Sequence, residues 1–232
     1  MHSIHRKKIV VLLVFIIAAL EGFSQERIRY QPDYDNKRIH FGYFLGVVNT
    51  NYLIKYSEKH LDPNNKYFVI TSPTTTGIKA GALVNYYIND YFDLRFSPLT
   101  IAIYGRKLLV NDSLKFDQVD KAWFEIPVYL KYKSERRMNS RMFIFAGLKY
   151  GFETNVVNRK GASTSFATKS ADLSVDYGMG LELFREYFKI TPEIHFSHGF
   201  RNMVNTGLPP TNFLNNVERM RTHSVSFFIV FQ

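Results

Sequence analysis

The chain has 232 residues, of which 46% are hydrophobic and 22% are charged, a balance that excludes disorder throughout and suits a folded domain with a sizeable core. Cysteine is absent, which excludes a disulfide framework and any cysteine-based metal site or nucleophile. The formal net charge of +10 invites a nucleic-acid interpretation, but no nucleic-acid-binding signature is present and the N-terminus indicates export.

Residues 1–24 have the pattern of a secretory signal peptide. A basic stretch at 6–8 precedes the consecutive apolar residues 9–20, and small residues follow, which predicts cleavage before Gln25. As a helix the apolar run spans only about 18 Å, less than the roughly 30 Å hydrocarbon core of a bilayer. An uncleaved N-terminal anchor is the alternative. An exported protein is not expected to have a nucleic-acid partner.

After a polar segment, 25–38, that we interpret as a short periplasmic tail, residues 39–232 show strand-like patterns. The cleanest is 172–183, where apolar residues alternate with polar residues or glycine without a break in phase. A period of two is the signature of a strand whose two faces meet different surroundings. In the first predicted strand the facing is ambiguous, because 40–46 is apolar on both sides. The eight predicted strands lie near 40–55, 76–88, 91–98, 124–133, 141–152, 172–183, 187–198 and 221–231.

The links between these strands alternate between long and short. Short or medium turns are predicted near 89–90, 134–140 and 185–186, and long loops between the other pairs. This pattern is typical of an outer-membrane barrel with short periplasmic turns and long extracellular loops. We therefore predict an all-β, eight-stranded antiparallel up-and-down transmembrane β-barrel with both termini in the periplasm. A soluble β-sandwich or lipocalin-like barrel is the competing architecture.

Aromatic residues near the predicted turns favour the membrane barrel, because such barrels carry aromatic girdles at the membrane interfaces. The predicted girdle consists of Tyr86, Tyr87, Tyr91, Phe92, Tyr129, Tyr132, Phe184, Tyr187, Phe188, Phe228 and Phe231.

The polar faces of the strands carry nearly equal numbers of acids and bases. An eight-stranded barrel is just wide enough for side chains to fill it, and buried charges require partners. We therefore predict a lumen plugged by an ion-pair network, with a proton or ion path as the alternative. Its acids are Asp93, Glu125, Asp172, Asp176, Glu182 and Glu193, and its bases are Lys79, Arg95, Lys131, Lys149 and Lys189.

Two motifs contain some, but not all, of the features that a hydrolase site or a metal site requires. His195 and Ser197 have the His-x-Ser spacing of a lipid-A deacylase, but the alternation points both into the lumen, away from a lipid substrate. Glu193, His195 and His198 resemble a metal-binding set, but in a strand His198 faces the opposite side. We predict no catalytic residue, no metal site and no cofactor.

Basic residues cluster in two regions. Around the second turn we predict a solvated turn or a docking patch for an acidic partner, formed by Lys131, Lys133, Arg136, Arg137 and Arg141. Contact with lipopolysaccharide phosphates would explain the basic residues of the predicted outer loops, which are Arg106, Lys107, Arg159, Lys160, Arg201, Arg219 and Arg221.

Three stretches, 40–46 (HFGYFLG), 124–132 (FEIPVYLKY) and 188–200 (FKITPEIHFSHGF), resemble the PorT family of outer-membrane β-barrels from Bacteroidetes. The resemblance implies a non-enzymatic component required for type IX protein secretion and gliding motility, with secretion-machine proteins as partners. The bilayer and lipopolysaccharide are the other expected contacts, and no oligomeric state is predicted. The alternatives are a general structural or adhesive OmpX-like barrel and a lipid-A-modifying barrel hydrolase.

Overall fold

The computed structural model describes residues 29–58, 69–110, 114–116, 121–154, 169–204 and 217–232. Eight of its strands close into one antiparallel barrel, in which each strand pairs with its sequence neighbours among the eight and the last pairs with the first. This confirms the predicted fold class. The barrel strands are β1 (Ile39–Tyr56), β3 (Thr75–Tyr87), β4 (Phe92–Tyr104), β7 (Lys121–Lys133), β8 (Ser140–Glu153), β9 (Ala171–Phe184), β10 (Lys189–Gly199) and β11 (Val217–Phe231).

The links β3–β4, β7–β8 and β9–β10 lie at the same end of the barrel as the start of β1 and the end of β11. The registers show this, because Ile39 pairs with Tyr86 and Tyr43 pairs with Phe231. We call this the turn end and the opposite one the loop end. The predicted signal peptide and the loop residues Arg159 and Lys160 lie outside the described residues.

The barrel has an apolar outer face and a largely polar lumen. Along β9 the alternation is as predicted, with Asp176 and Glu182 inside and Tyr177 and Met179 exposed outside. In β1 the structure resolves the ambiguity of the sequence: the even-numbered residues face inward, and Val48 is fully buried there. The outward side chains of such a barrel contact lipid.

The predicted girdle is wrong for three aromatic residues. Tyr86, Tyr91, Tyr132, Tyr187 and Phe188 are exposed on the outside, but Tyr129, Phe184 and Phe228 are buried inside. The physical reason is parity, because these three occupy inward positions in the alternation of their strands.

The loop end carries structure that the sequence did not predict. A small sheet is built from β2 (Ile70–Thr71), β5 (Leu108–Val110) and β6 (Leu114–Phe116). Beside it an apolar core fills the barrel mouth, formed by Val48, Tyr52, Ile70, Ala102, Tyr104, Leu108, Trp123, Met203, Val204, Val217 and Met220. In the described part of the chain no helix is long and apolar enough to cross a membrane.

Candidate functional site

All eleven residues of the predicted ion-pair network are buried inside the barrel. The structure adds Arg106, Lys133, Arg141 and Glu153, so the buried charges among the described residues are seven acids and eight bases. Strands β1 and β11, both described in full, contribute no Asp, Glu, Lys or Arg to this lining. Apart from Arg106, which follows β4, the network therefore lies on the six strands between them.

A cluster near the turn end centres on Glu182 of β9. Its carboxylate accepts hydrogen bonds from the Lys131 ammonium, from Lys189 Nζ at 2.8 Å and from Arg141 Nε at 2.6 Å. Beside it, Lys133 Nζ lies 2.5 Å from Asp93 Oδ1. Removing one partner from such a buried set leaves charges uncompensated, so the cluster ties β7, β8, β9 and β10 together.

The middle of the lumen is crossed by Arg95 of β4 and Glu193 of β10. Arg95 Nη1 lies 2.7 Å from both carboxylate oxygens of Glu193, and its Nε donates to Asn85 Oδ1 at 2.8 Å. On the other side, His195 Nε2 lies 2.9 Å from Glu193 Oε2. This carboxylate is therefore held by charge-assisted hydrogen bonds from two side chains.

Toward the loop end, Glu125 and Asp176 share Lys149, and Glu125 also pairs with Lys79. Lys79 Nζ lies 2.8 Å from Glu125 Oε2, and Lys149 Nζ lies 3.3 Å from Asp176 Oδ2 and 3.7 Å from Glu125 Oε2. The hydroxyls of Tyr104 and Tyr129 donate to the two carboxylates at 3.0 Å each.

The free space between these side chains is small. Within the part of the chain that the structure describes, the larger of two lumen cavities is lined by Arg95, Glu125 and Glu193 among others and has a volume of about 30 Å³. The second, near Asp172 and Arg106, has about 10 Å³. One water needs roughly 10–15 Å³ by this measure, so these cavities hold a few waters and no organic solute.

The N-terminal segment covers the turn end. Tyr34 stacks on His40 with ring centroids 3.9 Å apart, and its buried hydroxyl has no hydrogen-bond partner among the described residues. Burial and the nearby Glu182 carboxylate raise the pKa of this phenol, so it remains neutral. Asp35 Oδ1 accepts from Arg141 Nη1 at 3.0 Å. The segment predicted as a tail therefore packs on the network.

Arg136 fastens the same segment from the β7–β8 turn. Its Nη1 donates to the Gln31 carbonyl at 3.0 Å, its Nη2 donates to the Tyr30 carbonyl, and its guanidinium lies 3.6 Å from the Phe184 ring centroid. Burial lowers the pKa of Arg136. These contacts have no signature in the sequence, because both hydrogen-bond acceptors on the N-terminal segment are backbone carbonyls.

The predicted docking patch is wrong for Lys131, Lys133 and Arg141, which are buried in the lumen. In β7 and β8 every second side chain points into the lumen, and Lys131, Lys133 and Arg141 occupy such inward positions. Of the other members, Arg137 is exposed and Arg136 is half-buried. Among the predicted lipopolysaccharide contacts, Arg106 is buried over the Tyr104 ring, 4.8 Å from its centroid.

The catalytic and metal motifs do not assemble. Ser197 Oγ accepts from Lys149 Nζ at 2.8 Å and contacts Ser174, while His195 bonds to Glu193. Within the described residues no hydrogen bond joins His195 to Ser197, and no group of three or more His, Cys, Asp or Glu is placed to hold a metal. His198 lies on the outer face.

An apolar outside, a charged and filled lumen, and short turns opposite long loops define the class of small outer-membrane β-barrels. The chain belongs to the outer membrane protein beta-barrel domain family, whose model matches residues 23–205. The protein is therefore an outer-membrane β-barrel.

A solved structure supports this fold. The chain is 13% identical to the outer membrane protein OprG from Pseudomonas aeruginosa, with a TM-score of 0.50 over 84% of this chain and 94% of that one. The chain is also 14% identical to Neisserial surface protein A, with a TM-score of 0.45 over 84% of this chain and 98% of that one. It is 11% identical to Ail, the attachment invasion locus protein of Yersinia pestis, with a TM-score of 0.38 over 84% of this chain and 98% of that one. No curated protein matches the chain.

Proposed function

We propose that this barrel is a non-enzymatic component required for type IX protein secretion across the outer membrane. In this proposal the barrel acts through surfaces at its two ends and transports nothing through its lumen. The absence of transport through the lumen is supported by the Arg95–Glu193 pair, which crosses a lumen whose larger cavity is about 30 Å³. The secretion role is supported by the resemblance of 124–132 and 188–200 to the PorT family.

The proposed orientation puts the turn end and both termini in the periplasm, as short turns do in outer-membrane barrels. Secretion-machine proteins are the proposed partners there, and the exposed Arg137, Lys37 and Arg38 supply positive charge for an acidic surface. At the loop end, the exposed Lys107, Arg201 and Arg219 suit lipopolysaccharide phosphates. No cofactor or nucleic acid enters the proposal.

Quantitative proteomics of the medium and cell surface of a deletion strain, beside a complemented strain, tests the secretion role. We expect type IX cargo to disappear from the medium and accumulate in the periplasm, with other outer-membrane proteins at normal levels. Complementation with an Arg137→Glu variant then tests the turn-end surface, and Lys107→Glu at the loop end is its matched control. An unchanged secretome in the deletion strain would exclude the role.

A structural or adhesive OmpX-like function is the second candidate. It is favoured by β1, which has 18 residues and extends far enough to support the small β2–β5–β6 sheet above the barrel. A strand needs only about 9–11 residues to cross the bilayer. The remaining residues of β1 therefore extend beyond the bilayer and form ordered structure at the loop end. A normal secretome with reduced surface adhesion or envelope integrity would support this function.

A lipid-A mass change that Ser197→Ala abolishes would support a hydrolase.

A further inference from the structure

Two histidines face each other on the outside of the barrel, near the loop end. His198 of β10 and His223 of β11 are directly opposite in the ladder, and both are half-buried on the outer face. Their Nδ1 atoms are 3.2 Å apart, and their ring centroids are 4.7 Å apart. We propose that this pair binds a divalent late transition metal, with copper bound most tightly.

The distance between the two nitrogens suits a shared metal. Imidazole nitrogens bind such metals at about 2.0–2.1 Å, so two nitrogens on one ion lie about 2.9 Å apart at a right angle and about 3.3 Å apart at the tetrahedral angle. The observed 3.2 Å falls between these values. In the metal-free pair one Nδ1–H lies between the two neutral rings. On metal binding that proton moves to Nε2 of His223, the ion takes its place between the two Nδ1 atoms, and water completes the coordination.

Tyr177 orients one of the ligands. Its hydroxyl lies 3.2 Å from His198 Nε2, and its ring stacks on His198 at an interplanar angle of 14°. A histidine that binds metal through one nitrogen carries its proton on the other, and a hydrogen-bond acceptor there fixes ring and tautomer. The Tyr177 oxygen accepts that hydrogen bond, which leaves His198 Nδ1 unprotonated and directed at His223.

The site lies where an ion can reach it from water. His198 follows Lys189, at the turn end, by nine residues along β10. At about 3.3 Å per residue and a tilt of about 40°, this places it about 23 Å along the barrel axis, near the edge of an apolar band about 25 Å tall. Asn51 is the register partner of His223 on β1, so polar residues continue around the barrel at this level.

Metal titration of the folded barrel in detergent, prepared without a histidine tag, tests the site. We expect one Cu²⁺ per chain, with an electron paramagnetic resonance spectrum showing coupling to two imidazole nitrogens. Affinity should fall from Cu²⁺ to Zn²⁺ and Ni²⁺ and further to Mn²⁺. Ca²⁺ and Mg²⁺ prefer oxygen ligands and should not compete. Because the metal binds deprotonated ligands, its affinity should fall on acidification.

Substitutions separate this site from other binding. His198→Gln and His223→Gln should each abolish the two-nitrogen spectrum, whereas His40→Gln, which removes an imidazole near the turn end, should leave it intact. Tyr177→Phe should retain the metal with affinity reduced by about tenfold. Heat-modifiable mobility on gels shows that each variant is folded. An unchanged spectrum in both His198→Gln and His223→Gln, or no stoichiometric copper in the natural protein, would overturn the proposal.

Discussion

Arg95 and Glu193 join opposite walls of the barrel. Their strands, β4 and β10, are four places apart in the closed ring of eight, and Arg95 Nη1 lies 2.7 Å from each carboxylate oxygen of Glu193. Both side chains are buried. The pair therefore fixes the width of the lumen at its middle as well as neutralising two charges.

Breaking this pair on one side should destabilise the barrel strongly. Arg95→Met leaves Glu193 with His195 as its remaining hydrogen-bond partner, and the loss of a buried ion-pair partner costs about 3–5 kcal/mol of unfolding free energy. The double variant Arg95→Met/Glu193→Met removes both charges and should recover part of that loss. Urea unfolding followed by the emission of Trp123, the single tryptophan of the chain, measures both.

The control for this comparison is Glu218→Gln. Lys55 Nζ lies 2.8 Å from Glu218 Oε2, a distance similar to that of the buried pairs, but both side chains are largely exposed. Exposed pairs contribute little to stability, so no measurable change is expected. An equal loss in Arg95→Met and Glu218→Gln would contradict the structural role of the buried pair.

The filled lumen predicts an absence of stable ion channels. In planar bilayers the folded protein should give no discrete conductance steps, because its two lumen cavities hold only a few waters. Larger barrels of 16–18 strands leave an aqueous channel, and one of these serves as the positive control. Regular, cation-selective steps from the natural protein would instead support an ion path along the Lys79, Glu125 and Lys149 cluster.

One glycine on the inner wall should be irreplaceable. A Cβ at Gly178 would lie 2.0 Å from the Ile194 carbonyl oxygen and 2.6 Å from Phe145 Cζ, closer than atoms can approach. Gly178→Ala should therefore fold poorly or lower the unfolding free energy by about 1–3 kcal/mol, as overpacking does.

Gly151 supplies the matched comparison, because the nearest atom to its Cβ would be Glu125 Cγ at 3.6 Å, an ordinary contact. Gly151→Ala should fold with normal yield. The fraction of heat-modifiable protein after refolding into detergent measures both variants. Equal yields would show that the Phe145 ring moves aside.

The cover over the turn end should depend on Tyr34. Tyr34→Ala removes the stacking on His40 and the contact with the Lys189 ammonium, which lies 4.3 Å from the Tyr34 ring centroid. Trypsin should then cut more rapidly after Lys37 and Arg38. Asn36→Ala is the control, because Asn36 is exposed and its side chain bonds, among the described residues, to the neighbouring Asp33 alone. Equal cleavage rates in the two variants would show that Tyr34 does not hold the segment.

Alternation was enough to predict the fold and most of the lumen. In 172–183 each polar residue must face the lumen if each apolar residue faces lipid, and the structure has Asp176 and Glu182 inside. The same alternation places Lys131 in the lumen, as predicted, and it also points Lys133 and Arg141 inward. The docking-patch prediction rests instead on the general expectation that basic residues beside a turn are solvated.

Cross-strand partners could not be predicted in this way. The register between neighbouring strands depends on the shear of the closed barrel, which the sequence of either strand does not specify. The pairing of His198 with His223 and the reach of Arg95 to Glu193 both depend on that register. The loop-end core was missed because it joins side chains from separate strands, such as Tyr52 of β1, Tyr104 of β4 and Trp123 of β7.

The distribution of charge around the lumen bears on how the barrel is completed. Strands β1 and β11 form the last ladder, and their inward faces carry side chains such as Phe44, Val48, Ser224 and Phe228. Joining them therefore dehydrates rings and hydroxyls on the inward faces, which carry no Asp, Glu, Lys or Arg. The costly desolvation of buried charge falls elsewhere in the barrel, so insertion can end by pairing two edges whose lumen faces are uncharged.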